Sequence, residues 1–410
     1  MSDALLSVDE ALGRLLAGAR PVSETETVPT LAATGRVLAR AQPSGLDVPP
    51  LDNTAMDGYA VRSADCASGA ARLRIGQRIA AGALGRPLAA GTAARIFTGA
   101  PIPPGADAVV PQEQTAVDGD HVVVRHAPRP GEWIRRAGED IRKGAVILAA
   151  GTRLRAQETG LAASVGLATL PVHRRVRAAL FSTGNELVMP GEPLPPGAIY
   201  NSNRFTLTGL LRMLGCEVED LGIVPDTLAA TRDALRRAAA ASDVIVTSGG
   251  VSVGEEDHVK PAVDAEGRLD LWRIAMKPGR PLAFGAVRRT ATGTEAGEAS
   301  FIGLPGNPVS GFVTFVLFVR PFVLRLQGAT TIAPRALPLR ADFDWPKPDA
   351  RREFLRVRCN DSGGLDLFPN QSSGVLTSTV WADGLVDNPA KQPIRRGDTV
   401  RFLPFAELLH

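Results

Sequence analysis

Cysteine is scarce in this sequence. Cys66, Cys216 and Cys359 are the only three in 410 residues. They are too few and too scattered for a disulfide framework or a CxxC metal knuckle, which points to a reducing, cytoplasmic setting. An excess of one charge is also missing: 46 Lys and Arg stand against 43 Asp and Glu, a formal net charge of +3. Short basic pairs occur at Arg135–Arg136 and Arg351–Arg352, but there is no basic run. Binding a duplex non-specifically typically takes ~6–10 phosphate contacts, so nucleic acid is excluded as a partner. The most apolar stretch, 312–326, is shorter than the ~20 residues of a membrane span and carries Arg320 and Pro321. It reads as a buried, kinked core helix, with no membrane involved. The opening MSDALLSVDEALGRLLAG has neither the basic start nor the cleavage site of a signal peptide. Walker A and GxGxxG fingerprints are missing, which disfavours an ordinary nucleotide or dinucleotide site. His121, His126, His173, His258 and His410 form no Ser/His/Asp or Cys/His arrangement and read as structural or surface groups.

What is present is enough for several cores. At about 150 residues per domain the length implies two to four compact units. Hydrophobic residues at 44% and charged residues at 22% are those of an ordinary globular protein. The 42 glycines and 32 prolines exceed the usual share without reaching the ~25–30% of disordered chains, so they belong in ordered turns.

Ser7 and Glu10 form a capping box ahead of Val8, Ala11, Leu12 and Leu15, which share one helical face. From 44 to 137 short β-prone runs (ARLRIG, AARIFTGA, HVVVRH) broken by Gly, Pro and Asp predict a mostly β domain. Helical and turn-like sequence at 138–176 is expected to pack with the first helix, making 1–43 and 138–176 one discontinuous helical linker domain. From 177 to 330 the texture alternates: strand 177–181, helix 202–214, strand 217–224, helix 228–241, strands 244–246 and 301–303, helix 308–326. Such alternation implies an α/β domain with a parallel sheet and right-handed crossovers. Pro-rich sequence at 333–339 and 345–349 leads into EFLRVRCN, LDLFPN and DTVRFLPF, and 331–410 reads as a small C-terminal β-barrel or sandwich. The whole is a multidomain α/β plus β protein.

In the α/β segment FSTGNEL at 181–187, TSGGVSVGEED at 247–257 and GLPGNPVS at 303–310 each follow a strand. Open parallel sheets bind ligands outside the carboxyl ends of their strands, so the three loops line one crevice. Glycines admit close backbone approach to an anion, and the helix beginning near Pro308 adds roughly +0.5 charge at its N-terminus. Any one of these loops could equally be a tight turn; three at equivalent strand ends favour a phosphate site. Glu186, Asp226 and Asp257 fall near strand ends, where they could supply the one or two carboxylates that Mg²⁺ usually takes alongside substrate phosphates. Glu255 and Glu256 read as solvated or capping groups. Lys277 and Arg280 in AMKPGRP would suit an oxyanion, although isolated cations are commonly surface solubilisers. The peptides PPLDNTAMDGYAV, RIFTGAPIPPGADAVVPQE and RRAGEDI say by themselves only that ordered polar loops stand there.

The sequence nonetheless resembles the molybdopterin molybdenumtransferases, the family that includes the E domain of gephyrin. DNTAMDGYAV, FTGAPIPPGADAVV, GEDI, STGNEL, TSGGVSVGEEDH, MKPGRP and LPGNPVS occur in that family's order and span nearly the whole chain. The resemblance implies a molybdopterin-binding three-layer α/β domain in an elongated homodimer of four-domain chains. The activity it implies is insertion of molybdate into adenylylated molybdopterin with Mg²⁺-dependent release of AMP, alongside other molybdenum cofactor biosynthesis proteins. It further implies that Asp57, Thr98 and Asp140 complete the partner chain's site, and that Glu186, Asp226 and Asp257 hold Mg²⁺ or position the pyrophosphate, with Asp226 and Asp257 as the direct ligands. Gly249, Gly250, Ser252, Pro305 and Pro308 would shape the pterin phosphate pocket, and Lys277, Arg352 and Ser373 would bind molybdate. Asn185 stands where the family usually has Asp; its amide still offers a carbonyl oxygen. Two rivals remain: the preceding adenylyltransferase step, against which the β domains argue, and a non-catalytic gephyrin-like scaffold, against which the carboxylates argue.

Overall fold

Helix α1, Val8–Ala17, starts where the sequence demands. Ser7 Oγ accepts the Glu10 amide at 3.2 Å, and the Glu10 carboxylate accepts the Ser7 amide at 2.9 Å. The computed structural model describes residues 5–250, 258–289 and 297–409. Val8, Ala11 and Leu15 bury the apolar stripe of α1 in the core of the α/β unit, against the long helix at 308–326. Here the expected pairing of the first helix with 138–176 is corrected. The partner of that later stretch is 25–38: Thr25–Pro29 forms an antiparallel ladder with Thr169–His173. Ala33 and Leu38 share a small core with Leu148, Leu154 and Ala162, the last from α2, Ala156–Ser164. The stripe of α1 finds a larger apolar surface on the α/β unit than this small core offers.

The β-prone middle stretch folds as one sheet. Its strands are β1 Gly58–Val61, β2 Ala71–Ile79, β3 Thr92–Ile96, β4 Ala108–Pro111, β5 Thr115–Asp118 and β6 His121–Val124, in the order β4-β1-β3-β2-β6-β5.

The α/β unit comprises β7 Arg177–Thr183, α3 Ser202–Met213, β8 Glu217–Val224, α4 Leu228–Ala241, β9 Val244–Ser248 and α5 Val259–Glu266. Strands β10 Gly267–Arg273, β11 Pro281–Arg288 and β12 Glu298–Leu304 complete its sheet, followed by the helical run α6, Pro308–Leu326. The sheet order is β8-β7-β9-β12-β11-β10. Strands β8, β7, β9 and β12 are parallel, as crossover helices require. The four strands read from the sequence are these parallel ones; the sheet also has an edge not read there, where β11 runs antiparallel to both β12 and β10. α6 is long and apolar enough to cross a membrane, but 89% of it is buried inside the protein. It passes through a π turn at Phe315–Val319 just before Pro321, which has no N–H to donate.

The last unit is a closed five-stranded barrel of β13 Leu337–Ala341, β14 Arg352–Cys359, β15 Gly364–Leu367, β16 Gly384–Asn388 and β17 Thr399–Pro404. β14 pairs with both β15 and β16, which closes the ring. The short helix α7, Thr377–Trp381, lies on its connection from β15 to β16.

Candidate functional site

Because β7, β9 and β12 are parallel neighbours, the loops leaving their carboxyl ends meet. Thr183, Gly249 and Pro305 line a single cavity of about 860 Å³. Gly249 and Gly250 carry φ of +91° and +67°, in the left-handed region. A Cβ on Gly249 would stand 2.8 Å from the Thr183 carbonyl oxygen, and one on Gly250 would stand 2.3 Å from a Val259 methyl. Glycine is therefore required at both positions. Asn203, at the start of α3, ties the loops together, donating to Ser248 Oγ and to the Gly306 carbonyl, each at 2.7 Å.

The opposite wall is cationic. Lys277 Nζ lies 3.3 Å from Glu353 and 3.5 Å from Asp349. The Arg351 guanidinium bonds Asp349 twice at 2.9 Å and holds that carboxyl well below the usual carboxylate range. Arg280 lines the same cavity with no hydrogen bond or ion pair from its side chain among the described residues. From the barrel, Ser372 and Ser373 close the wall. The Ser373 carbonyl accepts the Val309 amide at 3.0 Å, and no side chain caps the start of α6. Asn201, 2% exposed, caps α3 through Oδ1, while its buried Nδ2 has no partner among the described residues. A buried donor left unpaired is costly, so this cavity edge is chemically suited to an acceptor from a ligand.

Of the residues singled out in the sequence, Glu186, Gly249, Gly250, Lys277, Arg280, Pro305, Pro308 and Ser373 meet in this cavity. Arg352 does not. Its guanidinium turns to the other side of β14, where it bonds Asp387 and Asp9 beside a second cavity. The neighbouring Arg351 occupies the place expected of it. Asp226 follows β8, one strand beyond β7, and is not on the cavity wall. Asp57 and Thr98 form a unit on the middle β sheet. The Thr98 amide and hydroxyl donate to one Asp57 oxygen at 2.8 and 2.7 Å, holding that carboxyl below its ordinary value. Asp140 lies on the loop joined to Val48. None of the three lines the cavity of its own chain. Ser252 and Asp257, like Glu255 and Glu256, lie outside the described residues. Sequence reasoning missed Asn201, Asn203 and Arg351; the NSN start of α3 reads only as a helix cap until the fold sets it against two strand ends.

Among the described residues no group of three or more His, Cys, Asp or Glu is arranged to hold a metal. The donor set still fits a hard dication that takes most of its ligands from substrate and water. Glu186 has an exposed carboxylate on the cavity edge with no hydrogen bond or ion pair among the described residues.

Comparison with known proteins covers the same ground. Residues 6–166 match the MoeA N-terminal region (domain I and II), 179–325 the probable molybdopterin binding domain, and 338–405 the MoeA C-terminal region (domain IV). The chain is 37% identical over 415 residues to the molybdopterin molybdenumtransferase of Haemophilus influenzae, covering 99% of this chain and 100% of that one. It is 32% identical to the protein of that name from Bacillus subtilis, covering 98% and 94%. The crystal structure of the molybdopterin biosynthesis MoeA protein from Pyrococcus horikoshii superposes with a TM-score of 0.83 at 28% identity, covering 98% of this chain and 100% of that one.

Proposed function

This chain belongs to the molybdopterin molybdenumtransferases, transferases of molybdenum cofactor biosynthesis, and from that premise we propose that its cavity joins molybdate to adenylylated molybdopterin with release of AMP. The observation that carries this reading is the clustering of Arg280, Lys277 and Arg351 on one wall, facing the glycine loops on the other. Two anionic reactants that repel each other in water need a site that holds both and neutralises their charge. The free guanidinium of Arg280 and the ammonium of Lys277 bind the oxyanion, and Arg351 and Ser373 fix its orientation. Gly250 and the first turn of α6 beyond Val309, whose own amide is taken by Ser373, offer backbone N–H groups to the pterin phosphate, while Gly249 shapes the loop with its amide on Leu304.

Mg²⁺ would be held by Glu186 with Asp226 and Asp257 in support, and would offset charge developing on the phosphates as AMP departs. Asn201 donates its unpaired Nδ2 to a substrate acceptor at the cavity edge. The site works as a homodimer: Asp57, Thr98 and Asp140, which lie off the cavity of their own chain, reach the cavity of the partner chain and close it over the substrate. Incubating the protein with adenylylated molybdopterin, molybdate and Mg²⁺ tests the proposal. AMP is expected in proportion to cofactor formed, and no AMP above a control without molybdate would overturn it.

A further inference from the structure

Among the described residues two besides glycine have a positive φ, Trp133 at +57° and Lys391 at +61°. For a bulky L-residue the left-handed conformation is costly, because Cβ crowds the following carbonyl oxygen. No specific contact of the Trp133 ring offsets that cost. Its side chain is 42% exposed, and among the described residues its indole N–H has no hydrogen-bond acceptor and its ring no aromatic or cationic neighbour. The other three tryptophans are all engaged. Trp345 donates to Glu353 at 2.7 Å, Trp381 packs edge-on to Phe368 beneath Arg358, and the Trp272 ring lies 5.5 Å from that of Phe284.

The backbone of Trp133 is built into the loops that carry Asp57 and Thr98. Its carbonyl accepts the Ala55 amide at 2.9 Å, and the next two residues, Ile134 and Arg135, pair antiparallel with Thr54 and Asn53. The Thr54 carbonyl in turn accepts the Gly99 amide at 2.9 Å, and one Asp57 oxygen accepts both the amide and the hydroxyl of Thr98. One hydrogen-bonded cluster therefore presents a carboxylate, a hydroxyl and an unpaired aromatic face. Costly backbone geometry is retained where binding, rather than folding, supplies the compensation.

We propose that Trp133 is a binding residue for a flat nitrogen heterocycle of the substrate, on which it stacks in the cavity of the partner chain. The inference rests on the reading that Asp57, Thr98 and Asp140 reach that cavity, and it adds to their polar contacts a ring that recognises shape. Adenylylated molybdopterin carries two such rings, the pterin and the adenine. The main cavity has nothing to stack on either, since no Phe, Tyr or Trp is among the residues that line it. An indole suits both: its electron-rich face stacks on an electron-poor heterocycle, and its N–H is free to donate to a ring nitrogen or carbonyl.

The test is steady-state AMP release by wild type, Trp133→Asn and Trp133→Phe at saturating molybdate. Asn tolerates the left-handed region but offers no ring, whereas Phe keeps a ring in the strained place. Trp133→Asn is expected to raise KM for adenylylated molybdopterin roughly tenfold, the scale of one heterocycle stacked on one side chain, and to change kcat much less. Its melting temperature should match or exceed that of wild type, which separates lost binding from lost structure. Trp133→Phe should keep most of the affinity. AMP and a soluble pterin, each added alone as an inhibitor, distinguish the two rings: the one stacked on Trp133 is the one whose inhibition weakens in Trp133→Asn. An unchanged KM in Trp133→Asn overturns the inference, as does an equal rise in both variants, because a ring is then not what binds. A lower melting temperature with KM unchanged would assign Trp133 to a subunit contact alone. The sharing of sites is checked separately by mixing Asp57→Asn with Lys277→Ala chains. If mixed dimers form without activity, that reading falls first and this inference with it; regained activity beside an unchanged KM in Trp133→Asn removes this inference only.

Discussion

Arg351 and Arg352 are adjacent in the chain and serve different cavities. Arg351 bonds Asp349 at 2.9 Å on the wall of the main cavity. Arg352 bonds Asp387 at 2.6 Å on the other side of the strand, beside α1. Arg351 immediately precedes β14 and Arg352 opens it, and their side chains turn to opposite sides, so the two do not share a role. Arg351→Ala should lower kcat/KM for molybdate on the order of 10- to 100-fold, the scale of a lost charge-assisted contact, with little change in melting temperature. Arg352→Ala should behave the other way. It leaves Asp387, 3% exposed, with only Arg401 at 3.2 Å, and should cost about 2 kcal/mol of stability while sparing activity per folded molecule. Steady-state kinetics and thermal melts of both variants check this, and the opposite pattern would exchange the two assignments.

That pair also marks where the sequence stopped being informative. The strand 217–224, the helix 228–241 and the first half of the strand 244–248 were legible because apolar periodicity and turn residues agreed there. The convergence of the loops at Thr183, Gly249 and Pro305 followed from parallel topology alone. Choosing Arg351 over Arg352 needs the phase of β14, and with period two an error of one residue exchanges the faces. The antiparallel edge was illegible for a related reason: LDLW and PLAFGAV are apolar runs that fit either direction. The packing of α1 turned on which apolar surface was larger, which no local pattern encodes.

The loop after β9 depends on a residue without a Cβ at position 250. Gly250→Ala places a methyl group 2.3 Å from Val259 Cγ2 at φ +67°, and the backbone conformation alone costs an L-residue ~1–2 kcal/mol. We expect a drop in melting temperature of several degrees and a larger proportional loss of activity. Adding Val259→Ala should recover part of the steric component, so the double variant will be more stable than the sum of the two single losses. Strictly additive losses would mean that the loop shifts freely.

Thiol chemistry offers an independent check of the cores. Burial raises Cys66 to about 11 and Cys216 to about 12, while Cys359 is exposed. A thiol reagent at mildly alkaline pH should therefore label Cys359 alone in the native protein and all three cysteines in denaturant. Native labelling of Cys66 or Cys216, mapped by peptide mass, would contradict their burial.

The proposed sharing of sites between subunits makes a quantitative demand on mixtures. Asp57, bonded to Thr98, lies off its own chain's cavity, whereas Lys277 lines it. In a two-fold dimer of one Asp57→Asn chain and one Lys277→Ala chain, one of the two sites is built entirely from unaltered residues. Each variant alone should be nearly inactive, and an equal mixture after subunit exchange should regain about one quarter of wild-type activity, because half of the dimers are mixed. Mixed dimers that form, verified by differential tagging, and remain inactive would place the whole site within one chain.

The proposed metal requirement is tested at Glu186. Its carboxylate is exposed at the cavity edge, beside Gly184, and unpaired among the described residues, whereas Asp226 is off the wall. An unpaired surface carboxylate contributes within about ±0.5 kcal/mol to stability, so Glu186→Gln should leave the melting temperature unchanged. If the carboxylate holds Mg²⁺, removing its charge weakens the metal site while one oxygen remains. AMP release should then need roughly tenfold or more Mg²⁺ to reach half its maximum, with excess Mg²⁺ restoring most of the rate. Asp226→Asn should shift that requirement less, because any contact from beyond the wall runs through water. Chelation should abolish release in every variant. Titrating Mg²⁺ against AMP release for wild type, Glu186→Gln and Asp226→Asn separates the roles. An unchanged requirement in Glu186→Gln, together with a large shift in Asp226→Asn, would move the metal away from β7 and toward the edge strand β8.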